Sequence, residues 1–144
     1  MIRPLTKEDI PIIIAQEQQV FGYSLGPTHY EQGFRLSATF GYVMEEETIQ
    51  AALLCWQNES FVQIDNLYVL PEFQHQGRAK TLLLTFMDSL HKRGINQVSL
   101  EVAVNNQIAI RLYESFGFVK TVTILNYLPD RSDAFRMVYT KGSL

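Results

Sequence analysis

A chain of 144 residues is long enough for a single domain, spanning 1–144, whose core needs no staples. Hydrophobic residues make up 47% and charged residues 19%, a globular rather than a disordered balance, and the net charge of −3 argues against a general nucleic-acid binder. Cys55 is the only cysteine, which excludes an internal disulfide and fits a reducing, cytoplasmic setting; no secretory stretch and no run of about 20 apolar residues points to export or to a membrane.

Taken in chain order, Met1 to Leu5 predicts a short edge strand, because Pro4 lacks the N–H that an inner strand would use. Thr6 then reads as a helix N-cap, Glu8 and Asp9 suit the first turn, and Ile12, Ile13, Ala15, Gln16 and Val20 carry that helix to about Val20. A glycine-rich connection runs from Phe21 to Pro27. Thr28 and Glu31 have capping-box spacing for a second short helix that ends near Leu36. Alternating runs at Phe40 to Met44 and Ile49 to Trp56 predict an antiparallel hairpin, with Glu45, Glu46 and Glu47 as its solvated turn.

The stretch from Phe61 to Lys80 carries two irregularities. Val62 and Ile64 alternate as strand residues do, and then the apolar phase slips to Leu67 and Val69. Strand side chains repeat every two residues, so the slip predicts one extra residue, a β-bulge, near Asp65 and Asn66. The helix that follows opens at Gly77 with no Ser, Thr, Asp or Asn beside it to cap its free N–H groups, and such a start is a natural anion site. A buried central strand, with Tyr68 and Leu70 also apolar, followed by an ordinary tight turn, reads the same residues equally well.

From Arg78 an apolar stripe at Ala79, Leu82, Leu83, Phe86, Met87 and Leu90 marks an amphipathic helix, which His91, Lys92 and Arg93 finish and Gly94 stops. Val98 to Val102 is a strand, Asn105 or Asn106 caps a short helix through Ser115, and Gly117 ends it. Phe118 to Leu125 and Ala134 to Thr140 form a closing pair of strands around a polar loop. The order is strand, two helices, three strands, helix, strand, helix, two strands: a mixed α/β (α+β) domain. The strand before Gly77, its helix and Val98 to Val102 form a crossover between parallel neighbours, and a ligand is expected beyond the carboxyl ends of such strands. Cys55 reads as core, and His29, His75 and His91 read as surface residues without metal-ligand spacing, so no metal is expected.

With Gln74, Gly77 and Ala79 opening the helix, this order of elements resembles the GNAT family of acetyl-CoA-dependent N-acetyltransferases. That family's signature is Gln or Arg, two residues, Gly, one residue, then Gly or Ala. Asn66 to Phe73 leads into it as the family's bulged strand does. Downstream, Leu100, Glu101 and Val102, and then Asn106 with Ala109, Ile110, Leu112, Tyr113 and the run from Glu114 to Phe118, resemble the RimI-like branch. Members of that branch acetylate the N-terminal amine of a ribosomal protein or similar peptide. Asn126, Tyr127, Asp133, Ala134 and Met137 resemble its C-terminal pattern. Four places depart from it: Ala103 stands where Arg is common, Phe21 to Ser24 replaces a Pro-Trp loop, Leu128 follows Tyr127 where a second Tyr is common, and the loop to Asp133 is shorter. All four lie where a peptide would be read.

The resemblance implies a GNAT fold of about seven strands and four helices, with acetyl-CoA as co-substrate and no metal. Main-chain N–H groups of His75, Gln76, Gly77, Arg78, Ala79 and Lys80, next to Gln74, would hold the pyrophosphate, while Arg78 and Lys80 add charge. Leu67, Tyr68 and Val69 would extend the β-ladder onto the pantetheine arm, with the Val69 N–H polarising the thioester carbonyl. Glu101 is the implied base, although its pattern equally suits a glutamate at a strand end facing water. Tyr113 is the implied acid for the leaving thiolate; its plainer role is packing between Ala109 and Phe116. Asn106 would cap its helix and also bond the cofactor or substrate. Tyr23, Tyr30, Glu101 and Tyr127 are the candidate acceptor-binding residues. The acceptor implied is a protein N-terminal amine; the alternatives are a small amine, polyamine or aminoglycoside-like, or a non-catalytic acetyl-CoA-binding module.

Overall fold

In the computed structural model, which describes residues 1–142, the chain runs β1 (Ile2–Pro4), α1 (Ile10–Phe21), α2 (Gly26–Arg35), β2 (Thr39–Glu46), β3 (Thr48–Asn58), β4 (Phe61–Val69), α3 (Arg78–Lys92), β5 (Gln97–Ala103), α4 (Gln107–Ser115), β6 (Val119–Ile124) and β7 (Ala134–Thr140). The strands make one sheet in the order β1-β2-β3-β4-β5-β7-β6, antiparallel throughout except where β4 meets β5. This is the mixed α/β architecture that the element order predicts.

Apolar layers cover both faces of the sheet. On one face, Leu82, Leu83, Phe86 and Leu90 of α3 and Ile110 of α4 pack on Leu53, Cys55, Val62, Ile64, Val98 and Leu100. On the other, Ile10, Ile13 and Tyr30 pack on Val43, Ala52, Leu54 and Tyr68. β3 is therefore buried from both sides, which is why Ala51 to Cys55 reads as an unbroken apolar run rather than an alternating one.

The phase slip in β4 is the bulge it predicts. Cys55 pairs with Ile64 and Leu54 with Asn66, so Asp65 is the extra residue. Two things follow. β4 stays paired with β5 only from Phe61 to Ile64, and beyond that the two strands part. In addition, two consecutive side chains turn to the same face, Asp65 meeting His29 of α2 and Asn66 meeting Glu17 of α1.

Four sequence expectations are corrected. Thr6 precedes a 3₁₀ turn, Lys7–Asp9, and α1 begins only at Ile10; Asp9 turns its carboxylate back onto the Thr6 N–H (2.8 Å) and onto Arg3 (2.8 and 2.9 Å). α2 begins at Gly26 rather than Thr28, because Ser24 Oγ accepts the Gly26 N–H (3.0 Å). Glu45 and Glu46 prolong β2, with Arg3 Nε donating to Glu45 at 2.8 Å; Glu47 alone makes the turn, with φ of 60°. Of the three histidines only His75 is exposed: His29 is held by Asp65, and His91 by the Tyr139 hydroxyl at 3.0 Å. Among the described residues, no helix is long and apolar enough to cross a membrane.

Candidate active site

Where β4 and β5 part, a cleft of about 700 Å³ opens. Its walls are Gln63 to Leu67 of β4, Leu100 to Ala103 of β5, Tyr113 of α4, the α1–α2 connection at Tyr23 and Ser24, and the β6–β7 loop at Tyr127 and Leu128.

Main-chain direction decides what β4 offers to the gap. The Leu70 N–H donates to the Gln50 carbonyl at 3.0 Å, so Leu70 and, two residues back, Tyr68 spend their main-chain groups on β3. Those of Leu67 and Val69 then face away from β3, toward the gap. Gln74 Nε2 donates to the Val69 carbonyl at 3.0 Å and ties the following turn to the strand end. The expectation for Tyr68 is corrected here: its ring is buried and its hydroxyl donates to Gln16 Oε1 at 2.7 Å, on the far side of the sheet.

The turn into α3 sits beyond the carboxyl end of β4, outside the cleft lining. His75 and Gly77 are both left-handed (φ 65° and 79°), and α3 starts with no side-chain cap, as predicted. Gln74, His75, Gln76, Gly77 and Lys80 are exposed, and Ala79 is half-buried. A Cβ on Gly77 would meet nothing within 4 Å, so its backbone conformation, not crowding, calls for glycine. Arg78 departs from expectation. Its guanidinium folds back onto Gln50 Oε1 (3.0 Å) and the Phe73 carbonyl (3.1 Å), so it braces the turn rather than standing free for an anion.

Glu101 is nearly buried, and three donors hold it. Gln63 Nε2 donates to Oε1 at 2.6 Å, the Tyr127 hydroxyl to Oε1 at 3.2 Å, and Arg136 Nε to Oε2 at 2.9 Å. Arg136 lies directly opposite Glu101 in the β5–β7 register, the geometry in which opposite charges pair best across strands. Ser99 Oγ in turn donates to Gln63 Oε1 at 2.6 Å, which fixes the amide's orientation. Tyr113 has a buried ring, and burial pushes its phenol pKa upward, so it remains a proton donor through neutral pH. Its hydroxyl takes no protein hydrogen bond among the described residues. Nor is that hydroxyl sealed off, since among the described residues Thr39 Oγ1 is the one buried, unpartnered side-chain atom. Asn106 Oδ1 accepts the Ala109 N–H at 3.2 Å, capping α4 while lining the cleft.

Of the acceptor candidates, Tyr23 and Tyr127 line the cleft, but Tyr30 does not. Tyr30 is fully buried and donates to Glu17, which also receives Ser24 Oγ at 2.5 Å and the Asn66 amide. Burial first, and then the neighbouring Glu17, push the Tyr30 phenol pKa up, so it stays a donor. The reading of Tyr30 as a groove residue is therefore corrected: it supports the wall from behind. Sequence reasoning missed Glu17, His29, Asp65, Gln63 and Arg136. The usable signal was the polar face shared by Gln63, Ser99 and Glu101, between apolar alternates on two adjacent strands. Among the described residues, no group of three or more His, Cys, Asp or Glu side chains is placed to hold a metal.

The acetyltransferase (GNAT) family matches residues 11–118. Over 85 residues the chain is 40% identical to a ribosomal protein bS18-alanine N-acetyltransferase of Haemophilus ducreyi, covering 59% of each. Over 75 residues it is 43% identical to the protein of that name from Escherichia coli K12, covering 50% of this chain and 51% of that one. These matches span about half to three-fifths of the curated relatives' length. The crystal structure of the E. coli ribosomal-protein-S18-alanine N-acetyltransferase superposes with a TM-score of 0.87 at 27% identity, covering 100% of this chain and 95% of that one. A NatC complex bound to Gag peptide and CoA shares the fold, with a TM-score of 0.84 at 19% identity over 97% of each chain.

Proposed function

The chain belongs to the acetyltransferase (GNAT) family, and from that premise we propose that it transfers the acetyl group of acetyl-CoA directly to the N-terminal amine of a protein. A ribosomal protein is the acceptor class that the names of its relatives support. One observation carries the reading: parted strands leave Glu101 and the unpartnered Tyr113 hydroxyl on the walls of one cleft.

The residues present suit acetyl-CoA. An amide-bearing arm can continue the ladder on the main-chain groups of Leu67 and Val69, and a pyrophosphate suits the uncapped, open start of α3 at Gly77. The thioester supplies an activated acetyl group; the rest falls to this chain. The Val69 N–H polarises the carbonyl, and Glu101 takes the proton that the attacking amine loses as the N–C bond forms and the C–S bond breaks. Since Gln63 and Tyr127 occupy Oε1 and Arg136 one side of Oε2, a bridging water to Oε2 suits that transfer better than direct contact. The Tyr113 hydroxyl protonates the departing thiolate, and the products are an amide and a thiol.

A peptide acceptor is favoured over a small amine because two loops, carrying Tyr23 and Tyr127, form walls of the cleft along which a peptide could be read. Ala103 and Leu128, two of the departures from the RimI-like pattern, line the same cleft, so the residues after the acceptor's first are read by a surface of this chain's own. A ribosomal acceptor would be met in the cytoplasm, a setting that the free thiol of Cys55 suits. Thermal unfolding with acetyl-CoA tests the shared premise, and no rise in melting temperature at saturation would sink it. A side-by-side acetyl-transfer screen of N-terminal peptides, spermidine and an aminoglycoside tests the acceptor. Peptides are expected to win, and preference for either small amine would replace the reading.

A further inference from the structure

The bulge that parts the strands also delivers two polar side chains to one face, and they end differently. Asn66 is spent on buried Glu17. Asp65 stays in the cleft wall, where its Oδ2 accepts from His29 Nε2 at 2.8 Å and its Oδ1 takes no protein hydrogen bond among the described residues. The imidazole is fixed between rings, 5.1 Å from Trp56 and 5.2 Å from Tyr30.

The cleft's charges can be matched one by one. Glu101 has Arg136 at 2.9 Å, a cation at every pH of interest. Asp65 has a cationic partner only while His29 is protonated. The other titratable groups facing the pair are Glu17 from α1, Tyr30 of α2, Cys55 of β3 and Tyr127 of the β6–β7 loop, and none of them supplies a positive charge. From this geometry we infer that Asp65 is a specificity-determining residue for the acceptor: its carboxylate captures the incoming ammonium, and His29 sets how much of that attraction is available. The inference rests on the acetyl-transfer reading and adds to it a capture site distinct from the chemistry at Glu101.

The chemistry requires such a group. An α-amine with a pKa of about 7.7–8.0 arrives mostly as ammonium near neutrality and, once inside, gives one proton to solvent water before the attack in which Glu101 takes the second. A carboxylate without a matching cation, on the wall of a partly desolvated cleft, draws that ammonium in more strongly than one in open water would. When His29 is protonated the pair is neutral and the pull weakens. The hydrogen bond to Asp65 raises the His29 pKa above the ordinary 6.5 against the opposing effect of burial, with Glu17 adding to the rise, so the change comes toward physiological pH.

The test uses the peptide Ala-Gly-Gly-Ser-Gly-Trp as acceptor at saturating acetyl-CoA, with kcat and acceptor KM measured from about pH 6 to about pH 7.5, a range in which its α-amine, of pKa about 7.7–8.0, stays mostly ammonium. The enzymes are the wild type, His29→Gln and Asp65→Asn. The peptide's own titration is common to all three and cancels in ratios. The wild-type KM divided by the His29→Gln KM should fall from about 5 at the acid end toward about 1 at the upper end. Asp65→Asn should raise acceptor KM by roughly 5–10-fold at the upper end, with kcat within about 2-fold and the KM for acetyl-CoA unmoved. A ratio that stays flat with pH would reduce His29 to a strut between α2 and β4, and an unchanged KM in Asp65→Asn would overturn the capture role. If the wild type acetylates no peptide, the acceptor reading has failed separately. Equilibrium titration with the same peptide and its analogue carrying propionyl in place of alanine then decides the inference. The amine should bind more tightly and Asp65→Asn should erase the difference; equal affinities in the wild type would overturn it.

Discussion

On the β4–α3 side of the cleft, the groups aimed at a ligand belong to the main chain: Leu67 and Val69 along the parted strand, then the uncapped N–H groups after Gly77. On the α1–α2 side they are side chains held by other side chains, with Glu17 gathering Ser24, Tyr30 and Asn66, and Asp65 holding His29. Main-chain groups recognise features common to every acyl-CoA, amides and phosphates, and tolerate changes in side chains. A side-chain network can be rewritten one residue at a time. Under the proposed function this difference makes donor and acceptor recognition separable, and mutations chosen on either side test it.

Glu101→Gln should have the largest effect. It sits where the two sides meet, and loss of a general base lowers kcat by about 10²–10⁴-fold. Acetyl-CoA affinity, read by titration, should change little. Tyr113→Phe should also lower kcat more than affinity, since a buried phenol with a raised pKa is lost as donor while its ring packing stays. Full activity in either variant would remove that residue from the mechanism. Loss of acetyl-CoA binding in either would show that the two sides do not separate at their seam.

Glu17→Ala comes next. Three donors lose their acceptor inside the protein, at about 1 kcal/mol or more each, so unfolding free energy should fall by roughly 3 kcal/mol in chemical denaturation. The acceptor KM should rise, because Ser24 and Asn66 line the cleft. The stabilisation by acetyl-CoA should persist. If it disappears as well, the two sides form one unit and the comparison falls.

The same division explains what the sequence reveals. The bulge at Asp65, the glycine start at Gly77, the Asn106 cap and the order of strands are local or periodic features, carried by neighbouring residues, and each is found where the pattern puts it. Glu17 and Asn66 are 49 positions apart, His29 and Asp65 are 36 apart, and Glu101 and Arg136 are 35 apart. No spacing rule joins such pairs; only the folded sheet brings them together. Tyr30 shows the cost. An aromatic residue in a loop-flanked helix reads as a groove residue until Glu17, on another helix, is seen to accept its hydroxyl.

Gly77→Ala sharpens the donor side. A left-handed φ of 79° costs alanine about 1 kcal/mol, and its Cβ would touch no protein atom within 4 Å. Stability should therefore fall by only that amount. On the proposed reading, acetyl-CoA affinity should fall further, because a phosphate held at the start of α3 would meet the new methyl. Equal losses in unfolding free energy and in binding would mean that the glycine serves the turn alone.

Asn106→Ala should have the smallest effect and the finest resolution. Its Oδ1 caps α4 through the Ala109 N–H, and losing such a cap costs about 1 kcal/mol of stability. α4 carries Tyr113 two turns further on, so a frayed start would be felt as a modest drop in kcat without change in either KM. Asn106 also lines the cleft, on the side where the parted strands face α4. If its amide touches acetyl-CoA as well, the KM for acetyl-CoA should rise beyond what the lost stability explains, and Asn106→Asp, which keeps the acceptor oxygen for the cap, should restore stability but not that KM. Restoration of both by Asp would assign Asn106 to the cap alone. The donor side would then be built from main-chain groups with Tyr113 as its one functional side chain.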